Sequence, residues 1–184
     1  LIEILYSRLS ASKKIDEVII ATTKLKSDKK LINFLNKKNI KFFCGDENNV
    51  LKRYYDCALK FKADVVVRIT GDGPLVDAKL TDTFVKKFLE KKIDYLSNQI
   101  PVSYPDGLDI EVFSFKALKK CFLSANSKYD KEHVTPFIIK NKFFKKYNIT
   151  LKKNFSKLRW SVDEQIDLNL LTNIFKKSYT LLLL

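Results

Sequence analysis

Short apolar runs alternate with amphipathic stretches along most of the chain. Residues 1–12 set Ile2, Leu5 and Leu9, joined by Tyr6, on one side, a helical spacing. Residues 16–23 form a nearly continuous apolar run, which suits a strand covered on both faces. Ser27 and Asp28 offer caps for a helix ending near residue 38, with Leu31, Ile32, Phe34 and Leu35 turned inward. Residues 40–44 predict a second strand. Asn48 or Asn49 offers a cap for a helix ending near residue 62. The valine-rich run at 64–70 predicts a third strand and is the best candidate for the sheet centre. Residues 81–92 predict another helix.

A repeated β-α-β order predicts a three-layer α/β/α fold, a mainly parallel sheet with helices on both faces. From residue 94 the rhythm changes. Residues 94–98 and 108–113 predict strands around a turn-rich link holding Pro101, Pro105 and Gly107. Ser114 offers a cap for a helix to about residue 123. Residues 130–140 predict a helix that Pro136 limits or kinks. Residues 147–151 and 158–162 predict short strands, and a last helix follows from 164 to 176. Neither an internal repeat nor a long linker appears, so residues 1–184 form a single expected domain.

Composition adds little that is specific. Apolar residues make up 46% of the 184 and charged residues 30%, the balance of a globular protein in water. Each apolar run falls short of the roughly 18–20 residues that span a bilayer, and the run 181–184 reads as a tail. Neither membrane insertion nor a secretion signal at the start is expected. Cys44, Cys57 and Cys121 lie far apart with no Cys-x-x-Cys pair, which argues for reduced thiols in a cytoplasmic protein. The net charge of +14 raises nucleic-acid binding. The lysines, however, are spread over nearly every amphipathic segment and far outnumber arginines, so no nucleic-acid partner is expected. A basic field attracts a nucleoside triphosphate equally well.

Five segments carry candidate chemistry. Gly71-Asp72-Gly73-Pro74 directly follows the valine-rich strand, and ligands of open α/β sheets bind outside the carboxyl ends of strands. A carboxylate there suits a Mg²⁺–phosphate group, although the same residues also make a plain turn. Asp163, after the run Arg159-Trp-Ser-Val, repeats the arrangement and serves equally as a helix cap. Asp109 and Glu111 fall on one strand face opposite Ile110 and Val112, either for sugar hydroxyls or for water, while Asp106-Gly107 reads as a turn. Glu132 and His133, the one histidine, lie on a helix beside a possible pocket, although a lone helical histidine is as readily structural. Arg53, in a helix opened by Asp46 and Glu47, offers a fork for a carboxylate or phosphate, or simply lies on a surface helix.

Taken in order, these segments resemble the cytidylyltransferases of the spore coat polysaccharide SpsF type, relatives of the enzymes that make CMP-sialic acid and CMP-Kdo. The resemblance runs from Ile15 to Leu171. It rests on Ile15-Asp-Glu-Val-Ile-Ile-Ala-Thr-Thr23, Val50-Leu-Lys-Arg-Tyr-Tyr55, Val67-Arg-Ile-Thr-Gly-Asp-Gly-Pro-Leu-Val-Asp77, Gly107-Leu-Asp-Ile-Glu-Val-Phe-Ser114, Glu132-His-Val-Thr-Pro136 and Arg159-Trp-Ser-Val-Asp-Glu164. It implies a nucleotide-diphospho-sugar transferase-like, Rossmann-like fold that transfers CMP from CTP to a sugar acid and releases pyrophosphate, in cell-surface polysaccharide or glycan synthesis. It implies Mg²⁺ on Asp72 and Asp163 and nucleotide contacts from Arg68, Thr70, Gly71 and Asp72. It also implies acceptor contacts from Asp109, Glu111, Glu132 and His133, with Arg53 on the substrate side, and it leaves a homodimer open. Gly73 stands where relatives commonly have Cys. Relatives begin with a strand and an Ala-Arg-x-Gly-Ser-x-Arg-Leu-Pro-Gly-Lys loop that wraps the triphosphate, so the chain is expected to be incomplete at its start. A glycosyltransferase on a related fold and an inactive basic binding module are the alternatives. The single Asp of Gly71-Asp72-Gly73 argues against the first, whose metal sites usually carry an Asp-x-Asp pair.

Overall fold

The computed structural model describes residues 1–181, with side chains through Lys176. The last three residues of the apolar run 181–184 lie outside them. The order is α1 (Ile2–Ser10), β1 (Ile20–Thr23), a 3₁₀ turn (Lys26–Asp28), α2 (Lys29–Lys37), β2 (Phe42–Gly45), α3 (Val50–Lys60), β3 (Val65–Arg68), α4 (Ala78–Lys91), β4 (Tyr95–Ser97), β5 (Glu111–Ser114), α5 (Phe115–Ser124), α6 (Lys128–His133), α7 (Pro136–Lys140), β6 (Lys146–Asn148) and α8 (Gln165–Leu181).

Two caps behave as the sequence predicts. Asn49 accepts from Lys52 N at 2.9 Å at the start of α3, and Ser114 accepts from Ala117 N at 3.1 Å at the start of α5. Asp28 does not cap α2. Its carboxylate turns back to the Thr22 and Thr23 hydroxyls at 2.6 and 2.7 Å, tying β1 to the turn after it. The expected helix over 130–140 is two helices, broken at Val134 and Thr135. The expected strand over 158–162 is absent. Arg159 makes a single parallel bridge with Asp106 instead, because both segments are loops that touch at one point.

The α/β class stands. β1 pairs with β2 in parallel, and a second sheet runs β3-β5-β4-β6. β4 and β6 are parallel, but β5 runs against both neighbours, so the second sheet is mixed. β3 is not at its centre: it pairs with β5 on one side, whereas β4 and β5 are paired on both. The valine run reported covered faces, not position in the sheet. Val65 and Val67 pack into one core and Val66 into the other.

Those two cores define the layers. On one face, Leu51 and Ala58 of α3, Leu118 and Cys121 of α5 and Ile138 of α7 pack with Tyr95 and Phe113. On the other, Leu5 and Leu9 of α1 and Phe84 and Phe88 of α4 pack with Leu96 and Val112. Phe84 and Phe113 are fully buried, each contributing about 1.5–3 kcal/mol of apolar transfer. Burial pushes the Cys121 thiol up to about 12, so it stays protonated and inert. Among the described residues, no helix is long and apolar enough to cross a membrane.

Candidate active site

Three loops meet beyond the carboxyl end of β3. Val162 N donates to Asp72 O at 2.8 Å, which lays the segment holding Asp163 against the Gly71–Pro74 turn. Trp160 N donates to Asp106 O at 2.7 Å and Asp106 N to Leu158 O at 3.0 Å, adding the third loop. The contacts are close enough to require glycine. A Cβ on Gly73 would stand 2.5 Å from Gly107 O, which accounts for glycine here. Gly107 has φ +90, and a Cβ there would stand 2.6 Å from the Trp160 carbonyl carbon.

The carboxylates of Asp72, Asp106 and Asp163 are exposed at this junction. The buried Ser161 hydroxyl lies 2.8 Å from Asp106 Oδ2 and 2.9 Å from Asp163 Oδ2, and so spans two of them. Asp167, one turn into α8, accepts from Asp163 N at 3.2 Å and Glu164 N at 2.9 Å and pairs with Arg159 at 2.7 Å. The hydrogen bond from Glu164 N is the largest influence holding its carboxyl below the ordinary value. From the far side, Arg8 of α1 donates to Val76 O at 3.1 Å and Leu75 O at 2.9 Å, fixing the chain that leaves Asp72.

A second polar group lies inside the neighbouring core. Glu111 is 1% exposed. Its Oε1 accepts from the Tyr95 hydroxyl and the Thr135 hydroxyl, both at 2.6 Å, and its Oε2 pairs with Arg68 Nη1. Arg68 lies over the Tyr54 ring, 5.8 Å from its centroid. Burial opposes the guanidinium charge, but the Glu111 carboxylate overcomes it and holds the pKa above its ordinary value.

The two groups sort the residues singled out from sequence. Asp72 and Asp163 come together as expected of their strand-end and helix-start positions. Thr70 and Gly71 lie on the turn between them and Arg68. Asp109 is half-buried near Asp106. Burial first, and the Asp106 charge second, raise its carboxyl above the usual range, against hydrogen bonds from Gly107 N and Gln99. Glu111 shares a strand face with Asp109, yet that face is roofed by α3 and the α6–α7 junction, so its carboxylate faces protein rather than sugar or water. Glu132 and His133 are exposed, with the His133 ring 4.4 Å from that of Tyr129. Arg53 donates to Asp46 O at 2.6 Å and so braces the loop after β2. Asp106-Gly107 is the expected turn, closed by Leu108 N donating to Pro105 O at 3.1 Å, and Asp106 joins the edge as well; Ser161, Asp167 and Arg8 carried no sequence signal that singled them out. For Asp106 the signal was its place beside an obligatory glycine.

Among the described residues, no group of three or more His, Cys, Asp or Glu side chains is arranged to hold a metal ion. The donors present fit a cation that takes one or two carboxylates and completes its shell with phosphate oxygens and water.

The acidic edge lies outside the carboxyl end of a strand, where ligands of open α/β sheets bind. The chain belongs to the cytidylyltransferase family, whose model matches residues 1–182. It is 42% identical over 141 residues to an uncharacterized protein of Methanocaldococcus jannaschii, covering 77% of this chain and 57% of that protein. It is 32% identical over 99 residues to the spore coat polysaccharide biosynthesis protein SpsF of Bacillus subtilis, covering 52% of this chain and 41% of that protein. A cytidylyltransferase structure from Leptospira borgpetersenii superposes with a TM-score of 0.86 at 31% identity, over 91% of this chain and 71% of that one. A CMP:2-keto-3-deoxy-manno-octonic acid synthetase complexed with CTP superposes with a TM-score of 0.68 at 13% identity, over 96% and 88%, a likeness of fold alone.

Proposed function

We propose that this chain carries the centre of an enzyme that transfers CMP from CTP to a sugar acid and releases pyrophosphate. The observation that carries the proposal is the junction of Asp72 and Asp163, two exposed carboxylates on adjoining segments at a strand end, in a member of the cytidylyltransferase family. In the proposed reaction the acceptor hydroxyl oxygen attacks the α-phosphorus. The bond to the pyrophosphate oxygen breaks, and the hydroxyl proton is released.

Bound Mg²⁺ would neutralise phosphate charge at Asp72 and Asp163. The protein's own contribution is positioning. Ser161 and Asp167 hold the Asp163 segment, and the Gly73–Gly107 contact holds Asp72 against it. Thr70 and Gly71 take the nucleotide side, together with Arg68, and Arg53 braces the neighbouring strand end. Asp109, Glu132 and His133 take the acceptor side. The raised carboxyl of Asp109 suits a hydrogen bond with a sugar hydroxyl. A cytoplasmic homodimer working in cell-surface glycan synthesis is the setting this proposal carries with it, its assembly to be read by sedimentation. The B. subtilis relative, named for spore coat polysaccharide biosynthesis, supports that setting.

The test is pyrophosphate release from CTP and Mg²⁺ over a panel of sugar acids. Release that depends on the acceptor and disappears in Asp72→Ala supports the proposal. Release from a pre-made nucleotide sugar without CTP would instead identify a glycosyltransferase.

A further inference from the structure

Acids and lysines collect at opposite ends of the four-stranded sheet. Arg68, Glu111 and Ser97 lie in register, so β3 and β4 finish at the end that carries the acidic edge. At the other end Val66, Phe113, Tyr95 and Lys146 lie in register, so β3, β4 and β6 all start there. α3 reaches that end with Lys60 and Lys62, α4 with Lys91 and Lys92, and the turn before β6 with Lys142 and Lys145. All six are exposed. Among the described residues, none of them makes an ion pair. The acids at this end are Asp64, Glu90 and Asp94. Glu90 lies 3.9 Å from Lys86, and Asp94 accepts from Lys145 N at 2.8 Å.

A lysine at a helix end offsets the partial negative charge of the last carbonyls, which explains Lys60 and Lys91. It does not explain the turn Lys142-Phe143-Phe144-Lys145, which belongs to no helix. Phe144 is 6% exposed and anchors the turn in the core. Phe143 packs on it with ring centroids 4.4 Å apart, yet is itself 50% exposed. Lys120 Nζ lies 3.7 Å from the Phe143 ring centroid. The turn is fixed at its base. Asp94 N donates to Lys145 O at 2.8 Å, and Lys146 Nζ donates to Ile139 O at 2.6 Å and Asn141 O at 3.0 Å. An aromatic ring is thus held in water among ammonium groups.

We propose that this lysine-rich end docks on an anionic lipid surface, with Phe143 seated among the headgroups and the lysines against the lipid phosphates. Each lysine near such a surface adds attraction, and an aromatic ring with a wet margin suits the interface. The protein lies on the bilayer and does not cross it. Lipid fits better than nucleic acid. The six cations are all lysine, without the arginine fork that grips phosphates and bases, and Phe143 sits on a turn rather than in a groove that would track a strand. The acidic edge, at the opposite end of the sheet, is kept away from the anionic surface and open to solution. The inference stands on charge and shape, and holds whether or not that edge transfers CMP.

Co-sedimentation with vesicles tests it, using phosphatidylcholine alone and phosphatidylcholine with about one-third phosphatidylglycerol. The protein is expected to sediment with the anionic vesicles only, and to leave them as salt rises. Lys142→Gln with Lys145→Gln is expected to weaken partition about tenfold or more. Lys62→Asn with Lys92→Asn should act alike and keep the fold, because both residues have positive φ, which asparagine tolerates. Phe143→Ser should weaken partition about three- to tenfold and leave its salt dependence unchanged. Lys29→Gln with Lys30→Gln removes the same charge from the start of α2, after the carboxyl end of β1, and should weaken partition about twofold at most. The lysine variants are expected to keep their Tm, which separates lost binding from lost fold. Failure to bind anionic vesicles at low salt, or equal loss in the α2 variant, overturns the proposal. So does tighter retention by single-stranded RNA or by polyglutamate than by anionic vesicles, which would give this end to nucleic acid or to an acidic protein.

Discussion

The acidic edge and the Arg68 cluster lie at the same end of β3, yet they hold their charges in opposite ways. At the edge, Asp72, Asp106 and Asp163 are exposed, and the backbone beneath them is fixed. In the cluster, Glu111 is withdrawn from water, Arg68 is largely so, and both are fixed by side chains. Water solvates a carboxylate at the edge, so a cation is welcome there but not required for folding. Inside, a charge without a partner is costly, so the partners are built in. The edge is therefore expected to fail in function when altered, and loss of the buried Glu111 charge to show in stability first.

The largest effect tests the cluster. Glu111→Ala leaves the largely buried Arg68 charge with no counter-ion, and loss of one partner of a buried pair costs up to about 3–5 kcal/mol. Denaturant unfolding reads that loss. A change below about 1 kcal/mol, the range of exposed pairs, would place Arg68 in water and dissolve the contrast. The next effect tests the edge. Asp72→Ala is expected to lower pyrophosphate release at least about 100-fold, the scale of removing a group that stabilises transition-state charge. Its stability should stay within about 0.5 kcal/mol of the parent, as for an ordinary surface substitution. Equal damage to stability and turnover would show that Asp72 is structural.

Gly107→Ala separates the backbone from the carboxylates it carries. The methyl group meets Trp160 and Ser161 backbone, and the residue must hold φ +90. A cost of about 1–3 kcal/mol is expected from the conformation before the clash is counted. Because Gly107 joins all three loops, turnover should fall with it even though no carboxylate is lost. Retention of full turnover in a folded Gly107→Ala protein would mean that the edge does not depend on this junction.

Much of this was legible in the sequence, and the remainder was hidden for a common physical reason. Elements with their own periodicity or cap could be read: α3 from Asn49, α5 from Ser114, and the alternation that sends Ile110 and Val112 to one face of β5. Asp72 and Asp163 were legible because each follows or precedes a regular element. Pairing partners were not. Local pattern shows that a strand is covered, but which strand lies beside it depends on distant chain, so β3 lost the centre to β4 and β5. The same limit hid the fate of Glu111. Its face was read correctly, and the helices that roof that face could not be. The break at Val134 ran against propensity, since nothing local favours a positive φ at valine. Such a site is visible only once tertiary contacts impose it.

The smallest effect is a pH dependence, and it sharpens the contrast from the side of the edge. Asp167 anchors the Asp163 segment through two backbone donors and Arg159, and its carboxyl is held below the ordinary value of 3.8. A carboxyl lowered in the folded state binds its proton more readily when unfolded. Its stabilisation is present above the unfolded value and is lost as pH falls through the folded one. Asp28 behaves alike. The Thr22 hydroxyl first, and Thr23 next, hold it down to about 2, so its contribution fades between 3.8 and about 2. Thermal unfolding from pH 6 to pH 2 should therefore fall on the acid side, and each of Asp167→Asn and Asp28→Asn should flatten part of that fall. The two differ in their effect on catalysis. Asp167→Asn loosens the Asp163 segment and should lower turnover at neutral pH. Asp28→Asn, on the turn after the far strand β1, should leave turnover unchanged. If both variants lowered turnover alike, Asp167 would hold the fold as a whole and not the edge, and the geometry of Asp163 would need another support.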